Sequence, residues 1–217
     1  MVRLLNVTYK HQGGGGIEGV TLEVKAGELV LLVGRTGAGK TTILRLISLE
    51  LKPDSGEIYL ERFRAGDIKP RLLPHWRRRL GIVYQDLRLL GDRTALDNVL
   101  LAAHCERNLP GKARDRAVKV LSNVGLASKL HSYPHELSAG EQQRAALARA
   151  IVNEPFVLLA DEPLSHLDAA TSEDIVAQLR RVNQAGTAVL VATHQPERFE
   201  SLRPRVIRLE GGKANGV

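Results

Sequence analysis

Apolar residues are distributed along the chain in two distinct patterns. Leu29-Val30-Leu31-Leu32-Val33, Phe156-Val157-Leu158-Leu159-Ala160 and Thr187-Ala188-Val189-Leu190-Val191-Ala192 are continuous runs of strand length. Strands buried on both faces read this way, as in parallel sheets covered by helices. Leu80-Gly81-Ile82-Val83-Tyr84, ending at Gln85, and Val206-Ile207-Arg208-Leu209, ending at Glu210-Gly211-Gly212-Lys213, extend the series. The first residues differ. Val2–Val7 and Gly19–Val24 predict strands around the loop Gly13–Gly16, and Lys25–Glu28 turns the chain into the first continuous run. Lys52–Gly56 reads as a turn and Glu57–Leu60 as a short strand.

Between about Thr94 and Ala150 the apolar spacing becomes helical, most clearly over Ala113–Val124, with interruptions at Pro110-Gly111 and Tyr133-Pro134. A helix is predicted to begin after Leu137 and run to Ile151. Ser138 and Glu141 stand at N-cap and N3 spacing, a capping box, and Ala145, Ala146, Ala148 and Ala150 allow close packing. Thr171–Val182 reads as a crossover helix. The expected class is α/β in one domain, 1–217, with residues 86–152 as a helical insertion.

Candidate chemistry lies where the continuous runs end. After Val33 come Gly34-Arg35-Thr36-Gly37-Ala38-Gly39-Lys40-Thr41 and Thr42, followed by Ile43–Ile47 at helical spacing. This is the G-x-x-x-x-G-K-[ST] phosphate loop in its strand–loop–helix setting. Its glycines let backbone N–H groups curl around an anion at a helix N-terminus. Lys40 is expected to reach the β- and γ-phosphates and Thr41 to ligate Mg²⁺, so the ligand is a nucleoside triphosphate. Asp161-Glu162 and Thr193-His194 end two other runs, and ligands of open α/β sheets sit at the carboxyl ends of strands. Asp161 is placed to hold Mg²⁺. Glu162, on the opposite face if the strand alternation continues, could polarise an attacking water.

Composition narrows the setting. With 43% hydrophobic and 25% charged residues and no apolar run of about 18, the chain reads as a soluble globular protein. Met1–Leu5 carries no signal-peptide pattern, and the single cysteine, Cys105, suits a reducing compartment. The net charge of +7 is concentrated over residues 61–80, where seven Arg or Lys face two acidic residues. Such a segment could meet nucleic acid or an anionic membrane, or be a solvated face. Three Phe, four Tyr and one Trp leave little for base stacking.

LSAGEQQR, shortly before FVLLADEP, resembles the signature of the ATP-binding cassette (ABC) family. The other family elements follow in order: Gln85 as the Q-loop, Ser165-His166-Leu167-Asp168 as the D-loop and His194 as the switch histidine. The resemblance covers essentially the whole chain. It implies a P-loop NTPase with a RecA-like core, an N-terminal antiparallel β-subdomain and an inserted α-helical subdomain. It also implies Mg²⁺-dependent ATP hydrolysis in a head-to-tail dimer. In that dimer Ser138 and Gly140, with Ala139 and Glu141 of the same motif, would complete the partner's nucleotide site. Glu162 would be the general base, His194 would contact the γ-phosphate, Gln85 would sense Mg²⁺ and water, and Asp168 would link the two sites. Ala139 stands where the family often has glycine, Leu164 where it has threonine, and His166 where it often has Ala or Asn. The adenine-stacking aromatic falls at His11 when counted from Val7, with Tyr9 two residues early.

Trp76–Asp86 and the stretch Leu89-Leu90-Gly91-Asp92-Arg93-Thr94-Ala95-Leu96-Asp97-Asn98-Val99 are most similar to the branch that serves bacterial cell division. This implies an integral membrane partner docking near the Q-loop, control of peptidoglycan hydrolysis, and peripheral attachment to the cytoplasmic side of the inner membrane. The alternative branch is the lipoprotein-release or MacB-type ATPase. A soluble family member acting on nucleic acid or ribosomes is disfavoured by the single cassette and the lack of long insertions. Leu87, Leu89, Leu90 and Leu96 are expected to line the docking groove, and Arg77, Arg78 and Arg79 to lie near acidic lipid or partner groups.

Overall fold

The computed structural model describes residues 1–103 and 110–215; the expectation resting on Cys105 lies outside them. The first strands, β1 (Val2–Lys10) and β2 (Gly16–Val24), pair antiparallel with Lys10 opposite Gly16, so both run longer than their alternation predicts. After β3 (Leu29–Val33) and α1 (Lys40–Ile47), β4 (Ser55–Leu60) and β5 (Phe63–Arg64) complete a four-stranded antiparallel sheet in the order β2-β1-β4-β5.

The continuous apolar runs form the second sheet. With β6 (Leu80–Val83), β7 (Val157–Asp161), β8 (Ala188–Thr193), β9 (Arg205–Glu210) and β10 (Lys213–Asn215), its order is β10-β9-β3-β8-β7-β6. All its pairs are parallel except β10 with β9. β3 and β8 are central, which is why their runs lack polar breaks. Alternate residues serve two cores: Leu190 and Ala192 face α1 and the antiparallel sheet, whereas Val189 and Val191 face the opposite layer. β7 and β8 each begin one residue later than predicted.

The helical region holds α3 (Ala95–Ala103), α4 (Pro110–Asn123) and α5 (Ala139–Ile151) around a third core that includes Leu96, Val99, Ala117, Leu121 and Ala148. Within the described residues α4 is first seen at Pro110, where the sequence predicts an interruption; the residues just before it lie outside those described. α6 (Ala169–Gln184) then crosses from β7 to β8 against the second core. The basic stretch contains a helix that its charges hid, α2 (Leu73–Arg78), fixed by buried Trp76. Among the described residues no helix is long and apolar enough to cross a membrane.

Candidate functional site

The phosphate loop leaves β3 at Gly34 and enters α1 through Gly39, whose φ of +99° belongs to the left-handed region. A Cβ on Gly39 would sit 2.5 Å from Ile17 Cγ2 and 3.0 Å from the Gly16 carbonyl oxygen, so both conformation and space require glycine. α1 has no side-chain cap and no acidic residue in its first turn, which leaves its N–H groups and positive dipole end to a ligand. Lys40, 6% exposed, donates from Nζ to the carbonyls of Gly34 (2.7 Å) and Arg35 (3.3 Å). Its Nζ also lies 3.5 Å from Glu162 Oε1.

Register brings the acidic strand end beside this loop. Val33 pairs with Thr193, and Ala192 with Asp161, so three strand ends stand in a row. Asp161 is buried, and its Oδ1 has no hydrogen-bond partner. Burial, aided by the nearby charges of Glu162 and Asp86, pushes its carboxyl above the ordinary range, against the pull of Thr41 and Lys40. An orphaned carboxylate oxygen beside a threonine hydroxyl suits Mg²⁺, which takes few protein oxygens and completes its shell with phosphate and water. Glu162 lies beyond β7 with φ +44°, so strand alternation does not orient it as predicted. Its N–H donates to the Ala192 carbonyl, and its Oε2 lies 2.9 Å from His194 Nδ1. Asp161 and Glu162 therefore face one cleft.

That cleft, about 400 Å³, is lined by His11, Gly14–Gly16, Thr36–Thr42, Gln85, Asp161, Glu162, Ser165 and His194. His11 is in its wall, its Nε2 hydrogen-bonded to Thr42 Oγ1 at 3.0 Å. Tyr9 is not among the lining residues. It packs on the core and meets the His11 ring edge-on at 4.9 Å. Gly34 and Arg35 line the neighbouring cavity on the far side of the loop.

Past Gln85 the backbone is unusual: consecutive Leu87 and Arg88 have φ of +56° and +48°. Such residues persist where surroundings over-determine them. Arg149, on α5, donates one guanidinium nitrogen to the Leu87 carbonyl and the other to that of Arg88. The Arg88 guanidinium stands 3.8 Å over the Tyr84 ring, and the Tyr84 hydroxyl donates to Glu50 at 2.8 Å. Burial and that bond push the Tyr84 hydroxyl up to about 12. Arg149 carried no sequence signal beyond its place on a predicted helix.

Other predicted residues stand apart. Ser138, Ala139, Gly140 and Glu141 open α5 away from the cleft. Ser138 Oγ accepts from the Glu141 N–H and Glu141 accepts from the Ser138 N–H, as the capping box predicts. Gly140 is buried, and a Cβ there would meet Thr171 Cγ2 at 2.4 Å. Asp168 caps α6, accepting from the Thr171 N–H at 2.8 Å and the Thr171 hydroxyl at 2.7 Å. Leu96 is 2% exposed in the helical core and cannot line a docking groove; Leu87 and Leu89 are half-buried, while Leu90 is exposed. Arg79 pairs with Glu61 at 2.7 Å and lies over the Trp76 and Phe156 rings, and Arg77 donates to the Leu49 carbonyl. Arg79 is thus held into the fold, while Arg77 and Arg78 are exposed.

Comparison with known proteins extends the picture. The ABC transporter family model matches residues 17–165. The cell division ATP-binding protein FtsE of Mycobacterium tuberculosis is 42% identical over 98% of this chain and 94% of its own length. FtsE of Escherichia coli K12 is 39% identical over 100% and 98%. Among solved structures, the dimeric structure of MJ0796, a bacterial ABC transporter cassette, is 34% identical with a TM-score of 0.89, covering 99% of this chain and 97% of that one. A second structure of that cassette is a dimeric post-hydrolysis state bound to ADP and phosphate, with the same identity and TM-score.

Proposed function

The chain belongs to the ABC transporter family, and on that premise we propose that it is the ATP-binding and ATP-hydrolysing subunit of a cell-division complex, an FtsE-like ATPase working with an FtsX-like membrane protein. The observation that carries the reading is one cleft that joins buried Lys40, the orphaned Asp161 carboxylate and the Glu162–His194 contact.

The loop N–H groups and Lys40 bind the triphosphate; to do so Nζ exchanges the Gly34 and Arg35 carbonyls for phosphate oxygens. Thr41, Asp161 and Gln85 would hold Mg²⁺, which supplies charge neutralisation at the phosphates when bound. Glu162 takes a proton from the attacking water as the bond from oxygen to the γ-phosphorus forms and ADP leaves. His194, in contact with the Glu162 carboxylate, orients that base and donates toward the γ-phosphate. His11 supplies the face against adenine. Ser138, Ala139, Gly140 and Glu141 serve the nucleotide of a second copy, since the start of α5 stands outside its own cleft. Leu90 and the segment after Gln85 meet the membrane partner, holding the protein peripherally on the cytoplasmic side of the membrane.

The purified chain should hydrolyse ATP with Mg²⁺, and the tagged chain should retain a four-span FtsX-like protein from solubilised membranes. Retention of a lipoprotein-transporter permease instead would favour the other branch. Absence of turnover in both the free chain and the complex would overturn the ATPase reading.

A further inference from the structure

His194 stands at the end of β8, and the chain then forms a 3-10 turn, Pro196–Leu202, anchored by Phe199, which is fully buried in the second core. Beside Phe199, Arg198 turns its guanidinium toward the loop that follows Glu162. Its Nη1 donates to the Leu164 carbonyl at 3.1 Å and to Gln195 Oε1 at 3.2 Å. Its Nη2 donates to the carbonyls of Leu167 (3.4 Å) and Asp168 (3.5 Å) and to Ser172 Oγ. Among the described residues Arg198 forms no ion pair, so its charge is met by neutral oxygens alone.

This placement does not serve α6. A cation at a helix start opposes the helix dipole, and Asp168 already caps α6 through Thr171. The three carbonyls instead bracket Ser165-His166, and Ser165 lines the nucleotide cleft. His166 in this bracket has φ +63°, a conformation that needs external support. The loop is tied at its other end too: the Ser165 N–H donates to the Glu162 carbonyl at 3.1 Å, and Glu162 touches His194. Arg198 thus closes a ring that runs from Glu162 to His194, through the anchored turn to the 164–168 loop, and back to Glu162.

We propose that Arg198 is a positioning residue for ATP hydrolysis, fixing the loop that sets Ser165 in the wall of the cleft relative to the Glu162–His194 pair, from the segment that carries the histidine. The inference rests on the ATPase reading above. Arg198 is not among the residues that line the cleft; it sets the distance between Ser165 and the Glu162–His194 pair, which are. Guanidinium is suited to this because its planar fork reaches several carbonyls at fixed angles, whereas an ammonium is a point charge on a flexible stem.

The test uses the full-length chain with Arg198→Ala and Arg198→Lys, measuring steady-state ATP hydrolysis, binding of a fluorescent ADP analogue and thermal unfolding. Displacing a reacting group by about an ångström costs up to about a hundredfold in rate. Both variants should lose about tenfold or more in kcat while KM and ADP-analogue affinity stay within about twofold. If Arg198→Ala does not fold, a folded Arg198→Lys decides alone. A lysine variant with wild-type kcat overturns the proposal, as does a parallel loss of ADP-analogue affinity and thermal stability in both variants, which would make the role structural. Wild-type protein that binds the ADP analogue without hydrolysing ATP would fault the ATPase reading instead.

Discussion

A carboxylate oxygen of Asp161 is buried without a partner, although asparagine would fit the same space without the charge. Native structures retain such groups where a ligand completes them. Asp161→Asn should raise the melting temperature of the nucleotide-free protein by about 2–4 °C, the shift that about 1 kcal/mol gives a chain of this size. The same substitution should abolish Mg²⁺-dependent hydrolysis; calorimetry and an ATPase assay check the two halves. Because the folded carboxyl lies above its ordinary value, its cost is full above that raised value and fades as pH falls through it, and the variant should lack this relief. Asp168 has the opposite sign. The Thr171 N–H and hydroxyl hold its carboxyl below the ordinary range, so the stability it lends α6 is present above about pH 4 and lost as pH falls through the lowered value. Asp168→Ala should flatten the acid limb of a pH–stability curve; an unchanged limb would show that the cap contributes nothing. At the base, Glu162→Gln should leave ATP binding intact while turnover falls at least about a hundredfold, the lower end of what a general base contributes.

α5 is held at both ends by contacts that no periodicity reveals: Gly140 against Thr171 at its start and Arg149 to the turn after Gln85 near its end. Gly140→Ala should cost about 1–3 kcal/mol through overpacking, despite alanine's better helix propensity. Thr171→Ser in the same chain removes Cγ2, keeps the hydroxyl on Asp168, and should restore most of the loss in chemical denaturation. The central strands, the P-loop and the capped start of α5 were legible in the sequence, because burial on both faces and phosphate binding restrict the residue types themselves. α2 was obscured because one buried ring, Trp76, fixes a helix whose other positions are basic. Leu96 looked like a surface candidate because only three-dimensional packing separates it from exposed Leu90. For the cleft, Lys40, Asp161, Glu162 and His194 followed from strand ends, whereas Arg149 and Arg198 bind mainly carbonyls and no acidic side chain among the described residues, so no opposite charge in the sequence betrays them.

At the scale of the whole molecule, the start of α1 borders the cleft and the start of α5 does not. On the proposed pairing of two copies, an isolated chain would present half of two sites. The wild type without nucleotide should sediment as a monomer, and Glu162→Gln with ATP as a dimer; analytical ultracentrifugation that finds a monomer in both states would exclude the paired arrangement. The three cores divide the mechanical roles. The first two lock the sheets with α1 and α6, and the third ties α3 and α4 to α5. Arg149 then links α5 to the turn after Gln85, so a displacement of that turn would be passed to α5, whose start is proposed to serve the second nucleotide. Both clamping arginines hold main-chain oxygens, which every amino acid supplies alike. Over the history of a lineage, that grip sets no demand on the gripped side chains; buried Leu164 and half-buried Leu87 and Leu167 answer to the second core instead. A family alignment should show apolar exchange at positions 87, 164 and 167, wider exchange at exposed position 88, and little at the two arginines.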